Sequence, residues 1–365
     1  MSDKIGIITI HSVFNYGAML QAYALSEYLN SMGYSSEVID YRPYKINSEY
    51  DVYIRDIFLR PKKILFHFKM KLMKKNKFIR FRDFENNYIK KSNKKYIIKK
   101  SLNDNNYSLV ITGSDQIWNP YITGYDTSFL LDFIPENVSK MAYSSSFGIS
   151  DIPDCWEEKI AINLRQFDYL GLREEAGRGI VSKIIPNINT SLVLDPVFLL
   201  PKSHWEDLSN NDFVPNYDYL LVYSLEVNSE MIHKANKLAE KYSLKILTVH
   251  PYQENYDFSD LSIGEAGPKE FISLIRNARY IVTNSFHGAA FSIIFEKEFI
   301  CINHSKTGSR MSNLISSLDV PTLCVQDVEI YYPSEESKNK LEEKISFSQS
   351  FLLNSVKSCL NLSED

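Results

Sequence analysis

The chain reads as an α/β protein with two Rossmann-like domains facing a central cleft. Three observations predict this. Short β-branched and aromatic runs alternate with segments of helical spacing from the first residues onward. The alternation stops at Pro201–Pro215, a polar stretch bounded by prolines, and resumes at Tyr219. The length of 365 residues exceeds one ordinary domain and suits two. An apolar share of 44% can fill sizeable cores, and a net charge of −4 argues against a general nucleic-acid binder.

In chain order, Ile5–Ile10 is a parallel-strand candidate, and residues 11–17 (HSVFNYG) form the loop after it. A helix over Ala18–Ser31 follows, stopped by Gly33, and Ser36–Asp40 is the next strand. This is a βαβ unit whose loop lies at a strand's carboxyl end, where such sheets bind ligands. It has neither GxGxxG nor GxxxxGK[ST], so it is neither a dinucleotide fingerprint nor a P-loop. Residues 60–100 carry sixteen Lys or Arg against Asp83 and Glu85, with Ile64, Leu65, Phe68, Leu72 and Met73 at helical spacing. A basic amphipathic helix is predicted there. It reads either as a helical insertion with a solvated basic face or as a contact with an anionic membrane surface or lipid-phosphate acceptor. Tyr107–Thr112 is a strand running into GSDQIWN, and Lys140–Ser145 and Tyr169–Leu172 are further strands. Arg173, at the last of these ends, faces either an anion or a partner in the following helix start. Leu192–Leu194 is a strand entering Asp195-Pro196, where the proline disfavours helix at the residue before it.

The first domain is therefore placed at 1–200 with an insertion at about 55–100, the linker at 201–215, the second domain at 216–333 and a closing helix at 334–365. In the second domain Tyr219–Tyr223, Lys245–Val249, Tyr280–Val282 and Phe299–Asn303 are strands. Ser229–Lys241, Glu270–Asn277 and Met311–Leu318 are helices, with Pro268 at an N1 position. The informative stretch is Tyr280–Phe295. A buried-strand run gives way to Thr283-Asn284-Ser285, which favour a helix N-cap, and then to apolar residues at helical spacing. His287 and Gly288 fall in the first helical turn, beside N–H groups that favour an anion. A histidine there can be a general acid or base, although a lone histidine in an apolar segment is more often packed or capping. The loop 304–310 adds His304, Lys306 and Arg310.

Cys155, Cys301, Cys324 and Cys359 are far apart and form no CxxC, so neither a zinc ribbon nor an iron–sulfur cluster is supported. Free thiols in a reducing compartment are expected. The start MSDKIGIITI lacks a signal-peptide pattern, and no stretch approaches the roughly 20 apolar residues of a membrane span. The expectation is a soluble cytoplasmic protein with no nucleic-acid partner and no required metal.

IGIITIHSVFNYGAMLQAYAL, VITGSDQIWNP, LREEAG, VLDPVFLL and GPKEFISLIRNARYIVTNSFHGAAFSIIF occur in this order across nearly the whole chain. Together they resemble the polysaccharide pyruvyl transferase family. The resemblance implies a GT-B-like fold and transfer of the enolpyruvyl carbons of phosphoenolpyruvate onto two sugar hydroxyls as a cyclic ketal, with no further cofactor. The partners it implies are that donor and a sugar or lipid-linked oligosaccharide acceptor of surface-polysaccharide synthesis. His287 matches the family's motif histidine. Donor-side candidates in the second domain are then Ser285, Phe286, Gly288, Lys306 and Arg310, with Arg173 joining from the first. Acceptor-side candidates are His11, Asn15, Tyr16, Gly17, Ser114, Asp115 and Gln116. Some members carry an Arg two residues before the motif histidine, where this chain has Ser285. Either Arg173 or Arg310 substitutes, or the donor is held differently or is another molecule. A nucleotide-sugar glycosyltransferase would also need an anion site at 285–288, with Glu265 as a candidate ribose ligand. A non-catalytic polysaccharide-binding or assembly protein is the third reading.

Overall fold

A computed structural model of the chain describes residues 4–48, 75–104, 107–250, 256–302 and 308–362. The first sheet is built from β1 (Lys4–Ile8), β2 (Ser35–Val38), β3 (Leu109–Thr112), β4 (Ser139–Ser145), β5 (Tyr169–Leu172) and β6 (Ser191–Leu192). All are parallel, in the order β2-β1-β3-β4-β5-β6. Strand order reverses between β1 and β3, so the loops after these two strands flank a topological switch point.

Between β1 and β2 runs α1 (Tyr16–Ser31), capped by the Asn15 side chain, which accepts from the Ala18 N–H at 3.2 Å. Thirteen of its sixteen residues are buried, which identifies a helix sandwiched on all sides rather than an amphipathic surface helix. It lies between the two domains, and its residues share one apolar cluster with Tyr219, Phe271 and Phe291 of the second.

The next helices are α2 (Lys75–Asn87), α3 (Asp154–Leu164) and α4 (Glu175–Ile184). Of the basic segment, residues 75–100 are described and α2 is their helical part; the apolar positions Ile64 to Met73 lie outside the described residues. Much of its positive charge meets the protein's own acidic groups. Arg80 binds Glu270 at 2.5 Å and Asp212 at 3.1 Å, and Arg82 binds Glu85 at 2.6 Å. Lys77 is buried, donating to the His250 carbonyl at 2.6 Å.

The predicted linker is not a bare loop. Its first half is α5 (Lys202–Leu208), because Trp205 and Leu208 give one side apolar bulk to bury. Trp205 is fully enclosed, donating to the Val197 carbonyl at 3.1 Å and meeting Phe291 edge-on at 5.0 Å.

The second sheet holds β7 (Tyr219–Tyr223), β8 (Lys245–Val249), β9 (Leu261–Ile263), β10 (Tyr280–Thr283), β11 (Glu298–Cys301), β12 (Thr322–Val325) and β13 (Val328–Tyr331), in the order β12-β13-β11-β10-β7-β8-β9. Five strands are parallel, and the β12–β13 hairpin adds antiparallel to β11. The hairpin and β9 are not apparent from sequence periodicity. Helices α6 (Ser229–Tyr242), α7 (Pro268–Asn277), α8 (Phe286–Ile294) and α9 (Gly308–Ser317) connect these strands. The order reverses between β7 and β10, so α8 leaves the second switch point. Finally α10 (Glu335–Cys359) crosses back to the first domain, where Leu352 and Val356 are buried and Ser348 Oγ accepts from the Leu194 N–H at 2.9 Å. No described helix is long and apolar enough to cross a membrane.

Candidate active site

Both switch points open on the same interdomain region. Ser285 caps α8 through the Gly288 N–H at 3.5 Å. Gly288 allows a close approach: a Cβ there would fall 2.2 Å from Thr283 Oγ1. These two residues build the helix start, which delivers His287 into the cleft. His287 is 6% exposed, and its Nε2 stands 3.5 Å from Asp195 Oδ2. Its Nδ1 faces the first domain at Gly17, where a Cβ would land only 2.0 Å away. Glycine at the start of α1 is therefore what lets the imidazole seat between the domains.

Asp195 is the centre of the cluster. Its Oδ2 accepts from Ser114 Oγ at 2.8 Å and from the Arg173 guanidinium at 2.9 Å, and its Oδ1 accepts from the Val197 N–H at 3.2 Å. Burial alone would push this carboxyl up. His287, Arg173 and Ser114 outweigh it and hold the group well below the usual carboxylate range. Burial likewise opposes the Arg173 charge, but Asp195, Glu174 and Asp115 raise its proton affinity above the ordinary value. Glu174 is itself anchored: Oε1 accepts from Ser146 Oγ at 2.7 Å and from the Phe147 and Gly148 N–H groups at 3.1 and 3.3 Å.

Arg310 enters from the second domain, in the first turn of α9 rather than in a loop. It is 7% exposed, and no carboxylate among the described residues pairs with it. Burial pushes it down to about 10, with the nearby Arg173 charge adding to the effect. It stays cationic at neutral pH. Among the described residues, five buried polar atoms of this cluster make no hydrogen bond: Arg173 Nε and Nη2, Glu174 Oε2, His287 Nε2 and Arg310 Nε. Arg173 Nε and Glu174 Oε2 face each other as an ion pair at 3.5 Å, and His287 Nε2 faces Asp195, which leaves Arg173 Nη2 and Arg310 Nε over. Such orphans are costly in a finished interior, so their concentration marks a place built to receive a ligand.

Two cavities flank the cluster. The larger, about 730 Å³, is lined by Arg173, Phe286 and Arg310 and extends outward along α9 and α10. Arg173 stacks its guanidinium 4.6 Å above the Phe286 ring. The smaller, about 350 Å³, is lined by Asn15, Asp115 and Gln116. Three donor-side and three acceptor-side candidates thus separate into two chambers.

The remaining described candidates do not line either chamber. Ser114 and Gly17 support the Asp195–His287 cluster instead of opening on the smaller cavity. Tyr16 is fully buried, hydrogen-bonds the Ala266 carbonyl at 2.9 Å and stacks on Phe271 at 4.5 Å, so it is an interdomain strut. His11 is 1% exposed with both ring nitrogens facing acceptors, Thr9 O at 3.1 Å and Asp40 Oδ1 at 3.0 Å. Its strand-end position suggested a ligand contact, but its side chain turns inward. Lys306 lies outside the described residues. Asp195 and Glu174 were not singled out from sequence; a carboxylate directly after a strand, ahead of a proline, was the available signal for Asp195.

A family model described as polysaccharide pyruvyl transferase matches residues 15–306. No curated protein matches the chain. Solved structures with similar folds include a UDP-N-acetylglucosamine 2-epimerase from Rickettsia bellii, at 11% identity and TM-score 0.52, covering 98% of this chain and 96% of that one. Another is the UDP-GlcNAc 2-epimerase from Methanocaldococcus jannaschii, at 12% identity and TM-score 0.50, covering 94% and 92%. A third, from S. aureus, is described as a MnaA-UDP co-structure, at 10% identity and TM-score 0.51, covering 99% and 98%. At these identities the likeness is one of fold, and the fold is GT-B-like.

Proposed function

The chain belongs to the polysaccharide pyruvyl transferase family, and from that premise we propose that it moves the enolpyruvyl carbons of phosphoenolpyruvate onto two hydroxyls of one sugar as a cyclic ketal. The observation that carries this reading is Arg310, a buried guanidinium with no carboxylate partner among the described residues, across the larger cavity from Arg173. A donor bearing both a carboxylate and a phosphate supplies the negative charge that two buried arginines require, and guanidinium suits bidentate binding of either group.

The protons balance within the reaction. C3 of the enol gains one proton, the two sugar hydroxyls release two, and the second leaves with phosphate. No net acid or base is consumed, so one relay residue suffices. His287 fills that role, with Nε2 toward Asp195 and Nδ1 toward Gly17, whose neighbours Asn15 and Ala18 line the smaller cavity. Asp195 orients the ring. Arg173 and Arg310 stabilise charge on the donor carboxylate and the departing phosphate. Asp115 and Gln116 face the acceptor hydroxyls.

One feature weighs against a nucleotide-sugar donor. In the second sheet, described residues that follow β8 and β9 are already engaged by the protein itself. Lys77 reaches the His250 carbonyl, Tyr16 reaches Ala266, and Glu265 is engaged by Asn76 at 3.0 Å. A base and ribose would have to displace these groups, whereas a small dianionic donor needs only the β10 side.

The test is ligand-induced thermal stabilisation with phosphoenolpyruvate, UDP-sugars and GDP-sugars. A ligand at about 100 times its dissociation constant stabilises the native state by about 2.7 kcal/mol, visible as a melting shift. The expected result is a shift with phosphoenolpyruvate that Arg310→Met abolishes. A shift with a nucleotide sugar alone would replace this reading with a glycosyltransferase.

A further inference from the structure

The smaller cavity contains two groups that the reaction itself does not require. Tyr121 is 62% exposed at its rim, in the one-turn helix Pro120–Thr123. Lys45 is exposed on the opposite segment and, among the described residues, has no hydrogen-bond or ion-pair partner. Neither is loosely placed. The Tyr121 N–H is held by Asn119 Oδ1 at 3.0 Å. The Lys45 stem lies over Gly124, whose φ of +70° and close approach (a Cβ would be 2.9 Å from Lys45 Cγ) suit only glycine.

The inner wall is equally specified. Asp115 has φ +75°, a left-handed conformation uncommon for a residue other than glycine and one that gathers at functional sites. Its Oδ1 accepts from the Gln116 N–H at 2.8 Å, and its charge raises the proton affinity of both Arg173 and Arg310. Asp115 therefore lines the smaller cavity within electrostatic reach of both arginines of the larger one. Gln116 Oε1 accepts from Asn119 at 3.2 Å, which leaves the amide nitrogen to donate.

Resting on the reading above, the geometry points to the smaller cavity as the acceptor subsite for a single pyranose carrying an anionic substituent. The apolar face of the sugar lies on the Tyr121 ring, its hydroxyls meet Asp115 and Gln116, and its charge meets Lys45. The volume of about 350 Å³ suits one sugar unit rather than an oligosaccharide, whose remaining units would extend past Tyr121 into solvent. An aromatic ring offers an apolar platform, and an unpaired cation at the rim selects charge.

The experiment follows phosphoenolpyruvate consumption by loss of its enol absorbance, with a panel of hexose 1-phosphates and the matching methyl glycosides. Turnover of 1-phosphates over glycosides is expected. Lys45→Gln should raise KM for the 1-phosphates about tenfold, which is 1.4 kcal/mol of lost binding, and leave glycosides unaffected. Tyr121→Ala should raise KM for both. Both residues are exposed, so neither variant threatens folding, and the phosphoenolpyruvate melting shift should persist in each. Equal use of glycosides with an unchanged Lys45→Gln enzyme, or turnover of neither class, would overturn the proposal. Loss of the phosphoenolpyruvate shift in the unmodified protein would instead sink the donor assignment beneath it.

Discussion

Two buried charge clusters sit at the cleft edge of the first domain, and they are finished to different degrees. One joins His11, Ser12, Asp40, Arg42, Arg82, Glu85 and Lys91. Arg42 binds Asp40 at 2.5 Å and Glu85 at 2.6 Å, Lys91 binds Glu85 at 2.7 Å, and Arg82 reaches both Glu85 and Ser12. No buried polar side-chain atom there is left over. The other joins Ser114, Arg173, Glu174, Asp195, His287 and Arg310; it holds three of its buried polar atoms only by ion pairs at 3.5 Å and leaves Arg173 Nη2 and Arg310 Nε with no partner among the described residues. The first has its charges paired and ties α2 to the segment after β2. The second closes only when something else arrives. Completeness of pairing, more than burial or charge, separates a structural cluster from a reactive one in this molecule.

The sharpest way to break that distinction is to remove one arginine from each. Arg42→Met leaves Asp40 and Glu85 buried without their main cation and should cost about 3–5 kcal/mol in urea unfolding. Arg310→Met removes a cation that has no partner among the described residues. It should leave stability unchanged or raise it by about 1–2 kcal/mol while abolishing the donor-induced melting shift. Equal destabilisation by the two would erase the difference.

Asp195→Asn keeps the shape and removes the charge that Arg173 and His287 share. A loss of about 2–3 kcal/mol is expected, with turnover falling at least hundredfold at unchanged fold by circular dichroism. Gly17→Ala places a methyl where His287 Nδ1 now lies. Overpacking of this kind costs about 1–3 kcal/mol, and the displaced ring should lose turnover before it loses donor binding. Wild-type kcat in this variant would mean that His287 is not the relay.

Acid affects both clusters alike and is the mildest probe at neutral pH. Asp40 and Asp195 are held below their ordinary values, and Glu85 is pushed down to about 2, because Arg42, Arg82 and Lys91 outweigh the opposing effect of burial. A carboxylate depressed in the folded state contributes stability above its unfolded pKa of about 4. That contribution is lost as pH falls through the folded value. Urea midpoints should therefore be flat down to about pH 5 and drop below about pH 4, with a shallower drop in Glu85→Gln.

Local signals were enough for the architecture. Alternation placed most strands to within two residues, and the cap pattern at Thr283–Ser285 placed His287 in a helix's first turn. Arg173 and Arg310 could be picked out as cations near strand and helix ends, but not what they meet: Arg173 pairs with Asp195 and with Glu174 at the following helix start, the partner reading that the sequence left open beside an anion. Asp195 was not legible, since its role depends on residues 81 positions before it and 92 after it coming together. His11 and Tyr16 had the right positions and the wrong orientations, which only tertiary packing decides. Helix α5 has little sequence signal because only Trp205 and Leu208 carry its apolar face.

The return of α10 has a consequence for how the protein is made. Its residues finish the first domain: Phe351 lies against Gly171, Tyr169 donates to Ser358 Oγ at 2.9 Å, and Ser139 donates to the Cys359 carbonyl at 3.3 Å. During synthesis, β4 and β5 precede their own cover by about 190 residues, the whole second domain intervening. The domain that begins first on the ribosome is thus the one completed last, and until α10 emerges its apolar face is a natural holding surface for a chaperone.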